Sequence, residues 1–390
     1  MMWSTRKLGE VCEIITGGTP KTSVKDFYGD DFLWAGPSDL DHGVFVIDTR
    51  KKLSEKGFRE SGIRIIPKDS VMMSCIGYIG KLGIAKEEMA TNQQINTFVP
   101  KHEILDTKYL YYALISKEKE FRAESSQTTL PIISKSKCAK IEIPVPPIGE
   151  QRKIVEKIEK QFAKIDEAAR LRAESISAID QLLPAALHEI FSEGKQKGCG
   201  EASLGDVCLV QSGGTPSKSI AKYWERGNIP WLRSEACKDQ LVERAEKFIT
   251  QEGLEHSSAK LLKPRTTLLA LVGATIGRTG FLTFESTTNQ NISGLFPRDE
   301  NELLPEYLFV AVQYLYPRFQ EIGVGKFKMA NLTFVKSLKI PLPPLAEQKE
   351  IVKKLDALSE KARALRELQL AQQADLKALK QSFLHEASAG

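Results

Sequence analysis

The 390-residue sequence contains no run of eighteen apolar residues, no CxxC pair and only a small excess of basic side chains. The first absence excludes a membrane-spanning helix, because about 20 apolar residues are needed to cross a bilayer. The second argues against a zinc site, whose cysteine and histidine ligands come at short, regular spacings. With 55 Lys and Arg against 50 Asp and Glu, bulk charge does not indicate nucleic-acid binding. Any such function must be argued from the architecture.

The first residues also lack the apolar core of a secretory signal, so we expect a cytoplasmic protein. Its six cysteines are then expected to be reduced and mostly buried. Hydrophobic residues make up 42% and charged residues 27%, which is the composition of a globular protein. The length predicts two or three structural units.

The chain repeats itself at an offset of 196 to 198 residues, as Leu8 against Leu204 and Tyr109 against Tyr307 show by subtraction. The matched segments are Leu8–Cys12 with Leu204–Cys208, Gly17–Pro20 with Gly213–Pro216, Trp34 with Trp231, Ile79–Lys81 with Ile276–Arg278, Thr91–Gln93 with Thr288–Gln290, and Ile143–Gln151 with Ile340–Gln348. We therefore predict a globular domain at 1–148, a long helix at 149–193, a second domain at 194–345 and a second long helix at 346–390.

Both helices carry a stripe with alternating spacings of four and three, which is typical of a coiled-coil seam. The predicted seam comprises Ile154, Ile158, Ile165, Arg172 and Ile179 in the first helix, and Leu355, Leu358, Leu365, Gln369, Gln372, Leu376 and Leu379 in the second. In an antiparallel pair the polar centres coincide, which would lock the register. The alternative is two amphipathic helices, each packed on its own domain. Pro184 is expected to kink or end the first helix.

The globular parts alternate short β-like runs with glycine-rich turns and one helix each, at 109–121 and 307–319. The predicted fold class is α+β: two homologous mixed domains separated by two long antiparallel coiled-coil helices, in a pseudo-two-fold arrangement. Glu150-Gln151 and Glu347-Gln348 are expected to anchor the helix N-termini through their carboxylates.

Five repeated motifs carry a family resemblance: Leu-Gly-Glu/Asp-Val, Gly-Gly-Thr-Pro, Ile-Gly-Lys/Arg, Thr-Asn-Gln, and Ile-Pro-x-Pro-Pro-x-x-Glu-Gln heading each helix. On these motifs the chain resembles the specificity subunits of type I restriction-modification systems. The resemblance implies a non-catalytic subunit whose two domains each read one half of an interrupted DNA site. The helices would set the spacer and dock two methyltransferase subunits, and restriction subunits would join them.

The resemblance also implies that S-adenosylmethionine, ATP and magnesium belong to the partner subunits and that this chain holds no cofactor. The sequence agrees, because it has no Asn-Pro-Pro-Tyr-like or Asp-Pro-Pro-Tyr-like methyltransferase motif. The GxxxxGK[ST] spacing of a phosphate loop is also absent, although the Gly-Gly-Thr-Pro turn superficially suggests one.

Candidate DNA contacts are basic and polar side chains in loops, because basic side chains bind phosphates and side chains of both kinds read base edges. They are Lys21, Thr22 and Lys218 after the Gly-Gly-Thr-Pro turns, Lys81 and Arg278, Arg233 after Trp231, and the loop residues Gln127, Thr128, Lys326 and Lys328. A solvated turn, a structural salt bridge at Lys81 or Arg278, and ordinary loop divergence are the alternatives. Trp34 and Trp231 are predicted core residues.

Two other functions stay open at this point. A nuclease or methyltransferase with unrecognised catalytic residues would turn over substrate as the chain alone. A scaffold whose two domains bind proteins would fail to shift DNA in a gel, with or without a methyltransferase partner.

Overall fold

A computed structural model describes residues 3–126, 130–196, 200–321 and 329–389 of the chain. The chain forms two compact units: unit 1 comprises Met1–Arg172 and Ala371–Gly390, and unit 2 comprises Ala173–Leu370. Each unit therefore holds one globular part, the first half of the helix that follows it, and the second half of the other long helix. No described helix is long and apolar enough to cross a membrane.

Unit 1 is built from twelve short strands and several helices among its described residues. The strands are β1 (Thr5–Lys7), β2 (Cys12–Thr16), β3 (Tyr28–Gly29), β4 (Phe32–Ala35), β5 (Phe45–Val46), β6 (Lys52–Leu53), β7 (Ile65–Ile66), β8 (Val71–Ser74), β9 (Leu82–Ala85), β10 (Met89–Thr91), β11 (Ile95–Pro100) and β12 (Glu142–Pro144). The helices are α1 (Leu8–Val11), α2 (Glu55–Glu60), α3 (Thr107–Ser116), α4 (Glu118–Glu124), α5 (Lys135–Cys138) and α6 (Ile148–Gln196), with 3₁₀ turns at Lys25–Phe27 and Pro37–Asp39.

The central sheet of unit 1 has the strand order β2-β11-β8-β9-β5, antiparallel except for the β5–β9 pair. Helix α3 packs on β8 and β9. Asp106 caps α3, because its carboxylate accepts hydrogen bonds from the backbone N–H groups of Lys108 and Tyr109. A second sheet has the order β3-β6-β4-β10-β7, and β1 pairs with β12. The core between the central sheet and α3 includes Leu384 from the C-terminal helix, which is 7% exposed.

Unit 2 repeats this plan. Its strands are β13 (Glu201–Ser203), β14 (Cys208–Ser212), β15 (Ile229–Leu232), β16 (Gln240–Val242), β17 (Lys247–Ile249), β18 (Thr267–Ala270), β19 (Thr279–Leu282), β20 (Thr287–Thr288), β21 (Ile292–Pro297) and β22 (Lys339–Pro341). Its helices are α7 (Leu204–Val207), α8 (Gln251–Glu255), α9 (Pro305–Tyr314), α10 (Tyr316–Gln320), α11 (Leu332–Ser337) and α12 (Leu345–Ala389), with 3₁₀ turns at Ala221–Tyr223, Ser234–Ala236 and Gly273–Thr275.

The central sheet of unit 2 has the order β14-β21-β18-β19-β16, equivalent strand for strand to that of unit 1. Its second sheet is smaller, with the order β17-β15-β20, and β13 pairs with β22. Leu187 and Phe191 of helix α6 lie in its core, 5% and 1% exposed. The predicted fold class is confirmed in its mixed domains and two long helices. The single helix predicted in each domain is divided in two, as α3 and α4 or α9 and α10.

The two long helices run antiparallel within each unit. In unit 1, Lys380 forms an ion pair with Asp166 at 2.7 Å and its ammonium lies 4.6 Å from the centre of the Phe162 ring. Lys157 lies near the Phe383 ring, so residue numbers rise along α6 as they fall along α12. In unit 2, Arg366 pairs with Asp180 at 3.0 Å. Helix α6 continues through Pro184, so the proline does not end it.

The predicted seam matches the buried stripe along most of its length. Ile158, Ile165 and Leu355 are buried, and Ile154, Arg172, Ile179, Leu358, Gln369, Gln372 and Leu376 are half-buried. Leu365 and Leu379, however, are 46% and 53% exposed. Continuing the same spacings would place Ala186 and Phe383 in the seam, whereas the next residues, Leu187 and Leu384, are the buried ones. A heptad repeat assumes 3.5 residues per turn, and a helix with 3.6 drifts by about 20° per heptad, so the stripe moves by almost one residue in four heptads. The alignment of the polar centres stays a prediction.

A buried glutamine attaches each long helix to its domain. Gln151 is 0% exposed, and its side chain accepts from the Asp106 N–H and donates to the carbonyls of Ile104 and Pro146. Gln348 makes the equivalent three hydrogen bonds in unit 2. The glutamines supply the hydrogen-bonded attachment. Glu150 and Glu347 lie in the first turns of α6 and α12, as expected, and the Glu150 carboxylate also forms an exposed ion pair with Lys153.

Candidate nucleic-acid interface

Three of the five repeated motifs of unit 1 gather at one end of its central sheet. Thr16 at the end of β2 pairs with Asn96, and Ser74 at the end of β8 pairs with Ile95. The segments at 17–22, 75–81 and 92–94 therefore meet there, and we call this the motif end. Strand β11 runs away from it towards Asp106, where Gln151 holds the start of α6. The motif end and the helix attachment thus lie at opposite ends of the sheet.

Backbone and side-chain hydrogen bonds bind the Gly-Gly-Thr-Pro turn to the Thr-Asn-Gln segment. The Gly18 N–H donates to the Thr91 carbonyl at 2.8 Å, and the Thr19 hydroxyl donates to the side-chain amide oxygen of Gln93. A Cβ atom on Gly17 would lie 2.3 Å from Thr91. Only glycine fits this close approach, which explains why the motif needs it.

Unit 2 forms the same arrangement. The Gly214 N–H donates to the Thr288 carbonyl at 2.8 Å, and the Thr215 hydroxyl donates to the Gln290 amide oxygen at 2.6 Å. A Cβ atom on Gly213 would lie 2.2 Å from Thr288. The Gly-Gly-Thr-Pro turn and the Thr-Asn-Gln segment are thus brought into contact in both units.

One tryptophan supports each turn from beneath. The indole N–H of Trp34 donates to the Gly18 carbonyl at 3.1 Å, and that of Trp231 donates to the Gly214 carbonyl at 2.9 Å. Their exposures are 7% and 4%. The prediction that both are core residues is confirmed.

A groove of about 580 Å³ opens beside the motif end of unit 2. We call it the tryptophan groove, and its principal lining residues are Lys218, Trp224, Trp231, Arg233, Lys247 and Gln290. A neighbouring groove of about 530 Å³ shares Trp231, Arg233 and Lys247 but adds the carboxylates of Glu235, Glu243 and Glu246. The basic side chains of this groove are suited to the phosphates of a nucleic acid, and its aromatic and polar walls are suited to the edges of the bases.

Comparison with known proteins agrees with this arrangement. A family model described as the type I restriction modification DNA specificity domain matches residues 2–174 and 197–374. The chain belongs to this family. The sequence resemblance is thereby confirmed, and the two matches correspond to the two halves of the repeat.

Individual specificity subunits are similar over most of the chain. The type I restriction enzyme MjaIX specificity subunit of Methanocaldococcus jannaschii is 25% identical over 329 residues, covering 79% of this chain and 74% of that one. The crystal structure of the HsdS subunit from Thermoanaerobacter tengcongensis has a TM-score of 0.61 and 23% identity, covering 100% and 97%. A structure described as underlying complex assembly and conformational transition of the type I R-M system has a TM-score of 0.80 and 24% identity, covering 100% and 98%. These two structures share the fold.

Three of the predicted DNA contacts in this specificity-family chain are exposed at the motif ends. Lys21 and Thr22 follow the turn of unit 1, and Lys218 follows that of unit 2. Arg233 lines both grooves and pairs with Glu235. Their contact with DNA stays a prediction.

Lys81 and Arg278 are each paired with an aspartate. The Lys81 ammonium lies 3.6 Å from the Asp41 carboxylate, and Arg278 forms a hydrogen-bonded ion pair with Asp239. This hydrogen bond, which the Asp239 carboxylate accepts, raises the pKa of Arg278 above its usual range. Asp41 and Asp239 both have positive φ, 65° and 57°. Their carboxylates also accept hydrogen bonds from the backbone N–H groups of the residues that follow the two cations, Leu82 and Thr279. The structural salt bridge considered as an alternative is present, and DNA contact by either cation stays a prediction.

Four predicted contacts lie outside the described residues: Gln127, Thr128, Lys326 and Lys328. Sequence reasoning also missed two residues of the tryptophan groove, Trp224 and Lys247. The repeat could have found both, because Tyr28 and Lys51 stand 196 positions earlier. Tyr28 packs edge-on against Trp34 as Trp224 does against Trp231.

The described cysteines are free and buried, as predicted. Burial raises the pKa of Cys12, Cys75, Cys208 and Cys237 to about 12 and that of Cys138 to about 11. These thiols are protonated at neutral pH, so they are poor nucleophiles and poor metal ligands. Within the described ranges, no group of three or more His, Cys, Asp or Glu side chains is placed to hold a metal ion.

Proposed function

We propose that this chain is the DNA-reading subunit of a type I restriction-modification complex. Unit 1 reads one half of an interrupted site and unit 2 reads the other. The long helices set the spacer between the halves and dock two methyltransferase subunits, which restriction subunits then join. The observation that carries this proposal is the duplicated motif end, formed by the same residues in two domains that both match a DNA specificity family.

The residues that the two motif ends share build a common scaffold, and the residues that differ between them are exposed around it. This division is the one expected of two domains that read different DNA sequences. The glycines, tryptophans and glutamines that build the frame are the same in both units. The exposed side chains around that frame differ, as in Thr22 against Lys218. Two domains that read different base sequences need a common scaffold and different side chains at the base edges.

We assign the methylation and restriction reactions to the partner subunits. S-adenosylmethionine, ATP and magnesium would be bound by the methyltransferase and restriction subunits, and this chain would act without a cofactor of its own. The family description supports this division, because it describes a DNA specificity domain. The proposed place of action is the cytoplasm, where bacterial and archaeal DNA is found.

A ruler experiment tests the proposal. Inserting one heptad into each long helix adds about 10 Å at 1.5 Å per residue, or about three base pairs at 3.4 Å each. The recognised half-sites should persist while the preferred spacer lengthens. The readout is the methylated motif in DNA exposed to the reconstituted complex. The matched control replaces an existing heptad at constant length, which should leave the spacer unchanged.

Two results would contradict the proposal. A complex with lengthened helices that methylates the original motif would show that the helices do not set the spacer. A wild-type complex that binds no DNA in a gel shift, with or without its methyltransferase subunits, would favour a protein-binding scaffold instead.

A further inference from the structure

The tryptophan groove of unit 2 has rigid aromatic walls. Trp231 and Trp224 meet edge to face, with ring centres 5.0 Å apart and planes at 89°. The Trp224 indole N–H donates to the Ser217 carbonyl at 3.0 Å, and the Trp231 indole N–H donates to Gly214. Both rings are thus held by packing and by a hydrogen bond, so the groove keeps its shape without a ligand.

Three cations line this groove, and their states differ. Lys218 and Lys247 are exposed and have no ion-pair partner within the described part of the chain. Arg233 pairs with Glu235, and the two side chains are 50% and 61% exposed. An ion pair this exposed contributes little, so the guanidinium can exchange Glu235 for a ligand at small cost.

The amide of Gln290 completes the groove. Its oxygen accepts from the Thr215 hydroxyl, which leaves the amide nitrogen to donate elsewhere. The equivalent pair in unit 1 is Thr19 with Gln93. Because both units hold this amide in the same way, it cannot distinguish two different half-sites.

The residues that differ between the units can make that distinction. Position 36, equivalent to Arg233, is glycine, and position 22, equivalent to Lys218, is threonine. Lys51 matches Lys247: its carbonyl accepts from the Trp34 N–H, and Lys247 pairs with Trp231. Lys247 and Gln290 therefore belong to the common frame, and Arg233 is specific to unit 2.

We propose that Arg233 reads a guanine in the half-site of unit 2, while Lys218 and Lys247 contact flanking phosphates and Gln290 positions the duplex. This inference rests on the proposed function. The guanidinium fork matches the two acceptors, O6 and N7, that guanine presents in the major groove. An ammonium that contacts a phosphate acts as a point charge, and such a contact carries no base information.

The test uses the full chain with its methyltransferase subunits and a pool of randomised DNA duplexes, from which bound sequences are selected and read. Arg233→Ala should keep the first half-site and the spacer but reduce the preference for guanine at one position by about tenfold to a hundredfold. Arg233→Lys, which keeps the charge without the fork, should lose most of that preference too. Lys247→Ala should weaken binding to all sequences equally and lower the salt dependence by about one unit of slope.

Glu235→Gln is the matched control, because it removes the ion pair and keeps the arginine. It should select the wild-type motif. If Glu235→Gln loses the same guanine as Arg233→Ala, the arginine acts through local folding, and the inference is overturned. The inference is also overturned if Arg233→Ala selects the wild-type motif. Failure of the wild-type complex to select any interrupted motif would instead refute the proposed function.

Discussion

Replacing Gln348 with alanine should destabilise unit 2 selectively. The substitution removes hydrogen bonds of 2.9 Å from the Leu304 N–H and of 2.7 and 2.8 Å to the carbonyls of Glu302 and Pro343. At about 1 kcal/mol net for each bond, the loss is about 3 kcal/mol. For a unit of this size that corresponds to a fall of about 6 to 12 °C in its unfolding temperature. Thermal unfolding with hydrogen exchange read by mass spectrometry assigns the loss to a unit.

The repeat supplies controls for this experiment. Gln151→Ala removes the equivalent bonds in unit 1 and should destabilise that unit by a similar amount. Glu347→Ala changes an exposed neighbour of Gln348 and should have little effect. If Gln348→Ala lowered the stability of unit 2 by less than about 1 kcal/mol, or lowered both units equally, the glutamine would not be the attachment that its hydrogen bonds indicate.

Three further predictions concern the core, the thiols and the charged loop. Leu384→Ala should destabilise unit 1 by about 2 to 4 kcal/mol, although residue 384 follows unit 2 in the chain. Leu187→Ala should destabilise unit 2. A loss of stability in the opposite unit would contradict the assignment of these side chains to the two cores. In a chain that carries Cys199→Ser, a thiol reagent at pH 8 should label the described cysteines only when the protein unfolds. A pKa of about 12, as for Cys208, leaves roughly one thiol in ten thousand as the reactive thiolate at that pH. Labelling of the folded chain would show that the thiols are accessible. Lys81→Ala should weaken binding of all DNA sequences in a filter assay and flatten its salt dependence, whereas a changed motif would make Lys81 a base reader.

The motif ends could be predicted from the sequence because their geometry leaves few permitted residues. Gly17 and Gly213 are restricted by atoms little more than 2 Å from where a Cβ would lie, and Thr19 and Thr215 by their glutamine partners. Because both units have the same restrictions, the same residue types recur in the sequence at a fixed offset. Lys247 was missed because the other residues of its strand, Phe248 and Ile249, differ from Lys52 and Leu53, so only the offset of 196 positions links it to Lys51.

The helices show where local pattern stops being informative. The stripe predicted their pairing, but counting by heptads placed Leu379 in the contact where Lys380 and Leu384 lie. Nor does the pattern around Leu384 tell which core receives it, since an apolar stripe records that a face is buried and not what covers it. Pairing between residues more than two hundred positions apart is decided by the whole fold.

The discontinuity of unit 1 has a consequence for synthesis on the ribosome. Unit 2 is one continuous stretch, Ala173–Leu370, whereas unit 1 needs residues from Ala371 onward. At about 5 to 20 residues per second, the first domain waits about 10 to 40 seconds after residue 172 emerges before Leu384 can fill its core. The part of the protein made first is therefore completed last. During that interval the site for Leu384 is open to chaperones and to the C-terminal helix of another chain.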